Sequence, residues 1–243
     1  MASAFRRYEL KYRLPIAWME EIRDIVFPFV IHDEHCRDLP RQRYTVRSIY
    51  FDTEDLDFFY EKLDSVNVRK KLRVRTYDSV CNESVAFLEI KRKIGRRSVK
   101  ERVQLTVGGV EEALNGSYPS PDFEDWVFSD RKVLEKFRFN MRVMHLAPVV
   151  LVSYEREAMI GRDNPRDRVT FDQNIRSLSN PEMDDIGEDD PLRQFEDEFF
   201  VLELKFDDNM PSWMCRLTRL MNLMPRSYSK YCEGINAWAQ IPQ

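Results

Sequence analysis

At 243 residues, with 43% hydrophobic and 12% aromatic content, the chain can bury a sizeable core as one large domain or two small ones. Seven glycines, with no G-x-G-x-x-G and no G-x-x-x-x-G-K-[ST], exclude the common glycine-loop nucleotide folds. The formal net charge is −4, so a basic cluster in this chain is a local feature with its own cause.

The opening MASAFRRYELKYRL has no apolar core of signal-peptide length, and the most apolar runs, 25–31 and 147–152, are too short to span a bilayer. Cys36, Cys81, Cys215 and Cys232 are scattered without a C-x-x-C pair and read as reduced, partly buried thiols. A cytoplasmic chain with no membrane segment of its own is the expectation.

Residues 5–14 alternate strictly, Arg7, Glu9, Lys11 and Arg13 on one face and Tyr8, Leu10, Tyr12 and Leu14 on the other, which is the period of a strand. Pro15 suits a helix start. Trp18, Met19, Ile22, Ile25, Val26 and Phe29 then form a helical stripe that Pro28 ends or kinks. Residues 32–42 read as a polar loop and 43–52, RYTVRSIYFD, as a strand. Thr53 is placed as the N-cap of a helix to about Leu63, with Glu54 and Asp55 in the first turn and Phe58, Phe59 and Leu63 buried. Three strands follow at 68–78, 85–94 and 98–107, the last two joined by a Gly95-Arg96-Arg97 hairpin turn.

A helical piece at 110–115 leads into a turn-rich segment with Pro119 and Pro121. The helix at 130–143 then carries Val133, Leu134, Phe137 and Met141 on one face. Strands are expected at 148–160, 166–175 and 199–207. Helices are expected at 210–224, with Trp213, Leu217, Leu220 and Met221 apolar, and in the tail 226–239. The acidic run 181–198 reads as a solvated loop in preference to a lid over a basic opening. Without repeats, low-complexity tracts or a linker, residues 1–243 read as a single domain.

The eight expected strands share one pattern. Arg69, Lys71, Arg73 and Arg75 point one way, as do Phe87, Glu89, Lys91 and Lys93, and then Lys100, Arg102 and Gln104. Tyr154, Arg156 and Ala158 share a face, as do Arg168, Thr170 and Asp172, and Glu203, Lys205 and Asp207. A sheet face in water would carry a mixture of Thr, Ser and Gln. Here the faces are mostly Arg and Lys with a few Glu, and the amphipathic helices need an apolar surface to cover.

An α+β fold answers both: an eight-stranded antiparallel β-barrel with a polar, basic interior and helices packed outside. At an effective dielectric near 20, two like charges about 6 Å apart repel by roughly 3 kcal/mol, so such an interior favours a ligand with several negative charges in a row. Lysine and arginine suit phosphate oxygens, and the interleaved Glu9, Glu89 and Glu203 suit a hard divalent metal, magnesium or manganese. His32-x-x-His35-Cys36 lies in a polar loop without further ligands and is not read as a metal centre.

In order along the chain stand YELKY (8–12), RSIYFDT (47–53), KLRVRTY (71–77), FLEIKRK (87–93), SVKERV (98–103), SYEREAM (153–159), RVTFD (168–172), VLELKF (201–206) and SKYCEGI (229–235). This ordered set resembles the VTC domain of polyphosphate polymerases, within the triphosphate tunnel metalloenzyme (CYTH-like) superfamily. The resemblance implies an eight-stranded antiparallel tunnel that transfers the γ-phosphate of ATP to a growing polyphosphate chain with a divalent metal. It assigns catalytic phosphate contacts to Lys11, Arg73, Arg75, Lys91, Arg156 and Arg168. Lys100, Arg102, Tyr154, Ser229, Lys230 and Lys205 become substrate-binding residues. Glu203 is the expected metal ligand, with Glu9 and Glu89 as further candidates.

Arg7 stands where the hydrolase branch of the superfamily opens its E-x-E-x-K strand, a departure toward the polymerase branch. A metal-dependent triphosphatase and a non-catalytic polyphosphate binder remain alternatives. ATP and inorganic polyphosphate or triphosphate are the implied partners, and a membrane partner is compatible with them. No nucleic acid is expected, because Tyr8, Tyr12 and Phe51 read as core-facing.

Overall fold

The computed structural model describes residues 7–95, 97–117 and 128–238. Arg96 of the expected hairpin turn, the turn prolines Pro119 and Pro121, and the ends of the expected first strand and of the tail helix lie outside these residues. The described elements follow in chain order. They begin with β1 (Arg7–Pro15), α1 (Met19–Val26), β2 (Val30–His32), α2 (Glu34–Arg37), β3 (Tyr44–Asp52), α3 (Asp57–Leu63), β4 (Val68–Tyr77), β5 (Val85–Ile94) and β6 (Arg97–Thr106). They continue with α4 (Val107–Asn115), α5 (Phe128–Val143), β7 (Ala147–Gly161), β8 (Arg168–Ser179), β9 (Arg193–Glu196), β10 (Phe199–Asp207), α6 (Ser212–Leu220) and α7 (Lys230–Asn236). The eight expected strands are all present, β2 and β9 are additional, and the class is α+β.

The chain forms two compact units. The first comprises Met1–Thr45, Tyr154–Ile175 and Gln194–Ser229. In it β1 pairs antiparallel with β10, β10 with β8, and β2 with the end of β7. The even-numbered side chains of β10 and the odd-numbered ones of β8 form the apolar face. Leu202, Leu204, Val169 and Phe171 pack there with Met19, Ile22 and Val26 of α1 and Met214 and Leu217 of α6. Each such fully buried side chain contributes about 1.5–3 kcal/mol.

The second unit comprises Val46–Ser153, Arg176–Arg193 and Lys230–Gln243. Here β3, β4, β5 and β6 pair antiparallel in sequence. Leu72, Val74, Leu88, Ile90, Val103 and Leu105 face Val110 and Ala113 of α4 and Val133, Leu134 and Phe137 of α5. In both units the charged residues that alternate with these apolar ones stand on the opposite sheet face.

Several expectations are corrected. Helix α3 starts at Asp57, not after Thr53. Leu56 turns into the left-handed region at φ 58°, and Asp52 supplies the cap by accepting from the amides of Phe58 (2.9 Å) and Phe59 (3.0 Å). Thr53 Oγ1 accepts from the Asp57 amide at 3.0 Å, and Leu63 is exposed. Residues 32–42 are no plain loop: Asp33 caps α2 by accepting from the Cys36 amide, and Cys36 is buried.

The expected helix at 16–29 is split, with three-residue 3-10 turns on either side of α1 and Pro28 in the second of them; Trp18 and Phe29 are exposed. In the acidic run, Ile186 is buried in the second core and Arg193–Glu196 pairs with β8, so this segment is anchored. Tyr12 and Phe51 are core residues as expected, whereas Tyr8 is 37% exposed and stacks on Phe206.

Candidate functional site

In the second unit the ladder of β4, β5 and β6 arranges the charged face in rows. Arg73 stands opposite Glu89, and Glu89 opposite Arg102. One step along, Lys71, Lys91 and Lys100 stand directly opposite one another. Arg69 opposes Lys93, and Arg75 opposes Phe87. Neighbouring strands lie about 4.8 Å apart, so these cations are crowded, and like charges directly opposite destabilise a sheet.

Glu89, 1% exposed, is the anion that holds the cluster together. It accepts from Arg73 Nε at 2.7 Å and Nη2 at 2.6 Å, and it pairs with Lys100. Burial would raise its carboxyl, but Arg73, Arg75 and Lys100 hold it well below the usual carboxylate range. Lys100 is brought down to about 8 by burial and by Arg73 and Arg75, against the opposing pull of Glu89. Arg75 donates from Nε to Ser48 Oγ at 2.9 Å, and the Arg102 guanidinium lies 4.6 Å from the centre of the Phe87 ring.

Residues of β3 and α7 complete this half. Arg73 Nη1 donates to Tyr50 Oη at 3.0 Å. Burial would raise the Tyr50 phenol, yet Arg73, Arg75 and Lys71 bring it down to about 7. Tyr231 packs on Tyr50 with ring centres 5.2 Å apart and donates its hydroxyl to Asp52, which has no exposed surface. Ser229 and Lys230, just before Tyr231, are both buried.

In the first unit, Lys11 stands opposite Glu203 and Glu203 opposite Thr170, while Glu9 opposes Lys205 and Lys205 opposes Arg168. Glu203 is buried among cations: Lys205 at 2.9 Å, Lys11 at 3.2 Å and Arg156 at 3.6 Å. Lys11 also meets Glu9 at 3.1 Å. Burial would lower its ammonium, but the two carboxylates raise it above the usual lysine range. Arg156 makes a fork with buried Asp172, Nε and Nη2 donating at 2.6 and 2.7 Å, and lies 5.2 Å from the Tyr154 ring centre. Arg168 donates to Asp33 at 2.8 Å.

Lys11, Tyr154, Arg156, Arg168, Glu203, Lys205 and Glu9 thus share the first unit. Arg73, Arg75, Glu89, Lys91, Lys100 and Arg102 share the second. Among the described residues no group of three or more His, Cys, Asp or Glu side chains converges as a metal cage. Glu203 and Glu9 both meet the Lys11 ammonium. Two carboxylates are a number that a magnesium-class ion uses, and such an ion would take the place of that ammonium contact, with phosphate oxygens and water completing its shell. Glu89 is engaged by Arg73 and Lys100, as Glu203 is by Lys205, Lys11 and Arg156. His32 of the His32-x-x-His35-Cys36 run pairs with Glu157, a buried carboxylate that also accepts from Arg23 at 2.9 Å.

Sequence reasoning missed Asp172, Asp33, Tyr50, Asp52 and Tyr231 as partners of the site. Asp172, Tyr50, Asp52 and Tyr231 sit inside the quoted motifs RVTFD, RSIYFDT and SKYCEGI, which is the signal that could have found them. Among the described residues no helix is long and apolar enough to cross a membrane.

The sequence profile of the VTC domain matches residues 6–239. Vacuolar transporter chaperone complex subunit 4 of Schizosaccharomyces pombe is 26% identical over 236 residues, covering 82% of this chain and 32% of its own length. The chain therefore spans about a third of that curated relative. Among solved structures, a putative adenylyl cyclase, HpAC1 from Hippeastrum, described as revealing a dominant triphosphatase activity, aligns with a TM-score of 0.47 and 13% identity. That alignment covers 96% of this chain and 97% of the other. With one family profile running over almost its entire length and through both sets of charged strands, the chain belongs to the VTC domain family.

Proposed function

We propose that the chain is a polyphosphate polymerase domain, working as one domain that moves the γ-phosphate of ATP onto the end of an inorganic polyphosphate chain. The observation that carries this reading is the face of β4, β5 and β6. Arg69, Lys71, Arg73, Arg75, Lys91, Lys93, Lys100 and Arg102 share it with the carboxylate of Glu89. Eight cations on one sheet face give a strong local positive potential, and a chain of phosphates matches it with negative charge at close, regular spacing. Membership in the VTC domain family supports the choice of polyphosphate over other polyanions.

Phosphoryl transfer needs positioning and charge stabilisation more than a protein nucleophile. Arg73, Arg75, Lys91, Lys100 and Arg102, and in the first unit Lys11, Arg156, Arg168 and Lys205, would hold phosphate oxygens of donor and acceptor. Tyr154, Ser229 and Lys230 would contact the same anions. A terminal phosphate of the acceptor attacks the γ-phosphorus in line, and ADP leaves. Arg156 is suited to hold charge that builds on the transferring group, because its guanidinium is fixed by Asp172. Glu203, with Glu9, would hold a magnesium or manganese ion, which would supply neutralisation of phosphate charge. A cytoplasmic setting with ATP supply fits this reaction.

The test is product analysis of the purified chain with labelled ATP, a tripolyphosphate primer and magnesium or manganese. ADP together with a ladder of chain lengths is expected. ADP with free phosphate and no ladder would replace the polymerase by a triphosphatase. Tripolyphosphate binding without turnover under either metal would leave a binding module.

A further inference from the structure

Asp52 and Tyr231 are 179 positions apart in sequence, yet they form an enclosed polar contact beside the charged face of the second unit. The Asp52 carboxylate has no exposed surface. It accepts from the amides of Thr53 (2.8 Å), Phe58 (2.9 Å) and Phe59 (3.0 Å), and also from the Tyr231 hydroxyl. Four donors on one carboxylate tie the end of β3, the start of α3 and the start of α7 together.

The cap on α3 needs the carboxylate but not the phenol, so the Tyr231 contact has a separate consequence. The Tyr231 ring, 2% exposed, lies 4.9 Å below the Lys71 ammonium and 5.2 Å from the Tyr50 ring. Tyr50 in turn accepts from Arg73 Nη1, while Glu89 accepts from the Nε and Nη2 of the same guanidinium. Arg73 is therefore held on two edges, one by a carboxylate and one by a phenol whose ring rests on Tyr231.

We infer that Asp52 and Tyr231 are positioning residues which, through Tyr50, fix where Lys71 and Arg73 stand on the charged face. The inference rests on the phosphate-binding reading of that face. Neither residue touches the ligand: Asp52 orients the phenol of Tyr231, the ring of Tyr231 supports Lys71 and Tyr50, and the hydroxyl of Tyr50 sets the rotation of Arg73. A guanidinium fixed in this way needs less ordering when it meets a phosphate, which is the usual benefit of a pre-set site.

The test uses the full chain and tripolyphosphate as the probe, with binding read by calorimetry and folding by thermal melting. Tyr231→Phe removes one hydroxyl and keeps the ring, and is expected to weaken binding about five- to tenfold. In a Lys71→Met/Arg73→Gln background the same change should alter binding by less than about twofold, because the groups it positions are gone. Phe137→Leu, which opens the core on the other sheet face, should lower the melting temperature at least as much and leave binding within about twofold.

If Tyr231→Phe fails to fold, Tyr50→Phe carries the test by removing the hydroxyl that Arg73 uses. Its expected loss is about two- to fivefold. Unchanged binding in Tyr231→Phe, an equal loss in the Lys71→Met/Arg73→Gln background, or an equal loss in Phe137→Leu would each overturn the positioning role while leaving the phosphate-binding reading intact. A wild-type chain that does not bind tripolyphosphate would overturn that reading, and this inference with it.

Discussion

Replacing Glu89 by glutamine removes the carboxylate charge from the face of β4, β5 and β6 and changes almost nothing in shape. Glu89 is 1% exposed and receives two bonds from Arg73 and one contact from Lys100, so its loss leaves a buried cationic cluster without its anion. Breaking a fully buried pair from one side costs about 3–5 kcal/mol. Lys100, whose side chain is 42% exposed, can recover part of its hydration, which brings the expectation to about 2–4 kcal/mol. For a chain of this length each kcal/mol moves the melting temperature by about 2–4 °C, so a fall of about 5–15 °C is expected.

The assay is thermal unfolding of both proteins with and without saturating tripolyphosphate. A polyanion returns negative charge to the face, so the ligand should raise the melting temperature of the Glu89→Gln variant by several degrees more than that of the parent. An unchanged melting temperature, or an equal ligand shift in the two proteins, would refute the role of Glu89 as the internal counter-ion.

The Tyr50 phenol, brought to about 7, should show its phenolate absorbance near neutral pH, and Tyr50→Phe should abolish that step. Because this value lies below that of an unfolded tyrosine, the phenol adds no stability below about 7. It adds stability progressively as pH rises toward about 10, and a urea titration series at several pH values measures this. Arg156→Lys keeps the charge but loses the fork with Asp172, and calorimetry should show tripolyphosphate binding weakened about tenfold. Gly234→Ala would place a methyl 2.9 Å from Val152 Cγ2 and 3.2 Å from Val150 Cγ2, which should cost about 1–3 kcal/mol in urea unfolding by overpacking α7.

The alternation of apolar and charged residues was enough to place β1, β4, β5, β6, β7, β8 and β10, because the side-chain period of a strand is written locally, and β-branched and aromatic content placed β3. It also put Lys71, Arg73 and Arg75 on one face and Leu72 and Val74 on the other. Local signals failed where distant residues decided the outcome. Thr53 has the composition of an N-cap, yet Asp52 takes the amides of α3 because Leu56 adopts a left-handed conformation, which nothing in its side chain announces. Ile186 sits in a run of acids that looks solvated, yet the core of the second unit captures it.

The same distinction separates the readable part of the site from the rest. A period of two says which face a cation occupies, but not which residue stands opposite, since that depends on the register of a neighbouring strand. Glu89 lies 16 positions from Arg73, Asp172 lies 16 from Arg156, and Asp33 lies 135 from Arg168. The cations and the carboxylates interleaved with them, Glu89 and Glu203, were therefore legible as residues of a charged face, and which cation each carboxylate meets was not. Carboxylates fix Arg73 through Glu89, Arg156 through Asp172 and Arg168 through Asp33, while Lys71, Lys91 and Lys100 oppose one another across β4, β5 and β6, with Lys100 also on Glu89. Fixed arginines beside a row of opposed lysines give a face of defined geometry and strong positive potential, which the proposed polyphosphate substrate would match.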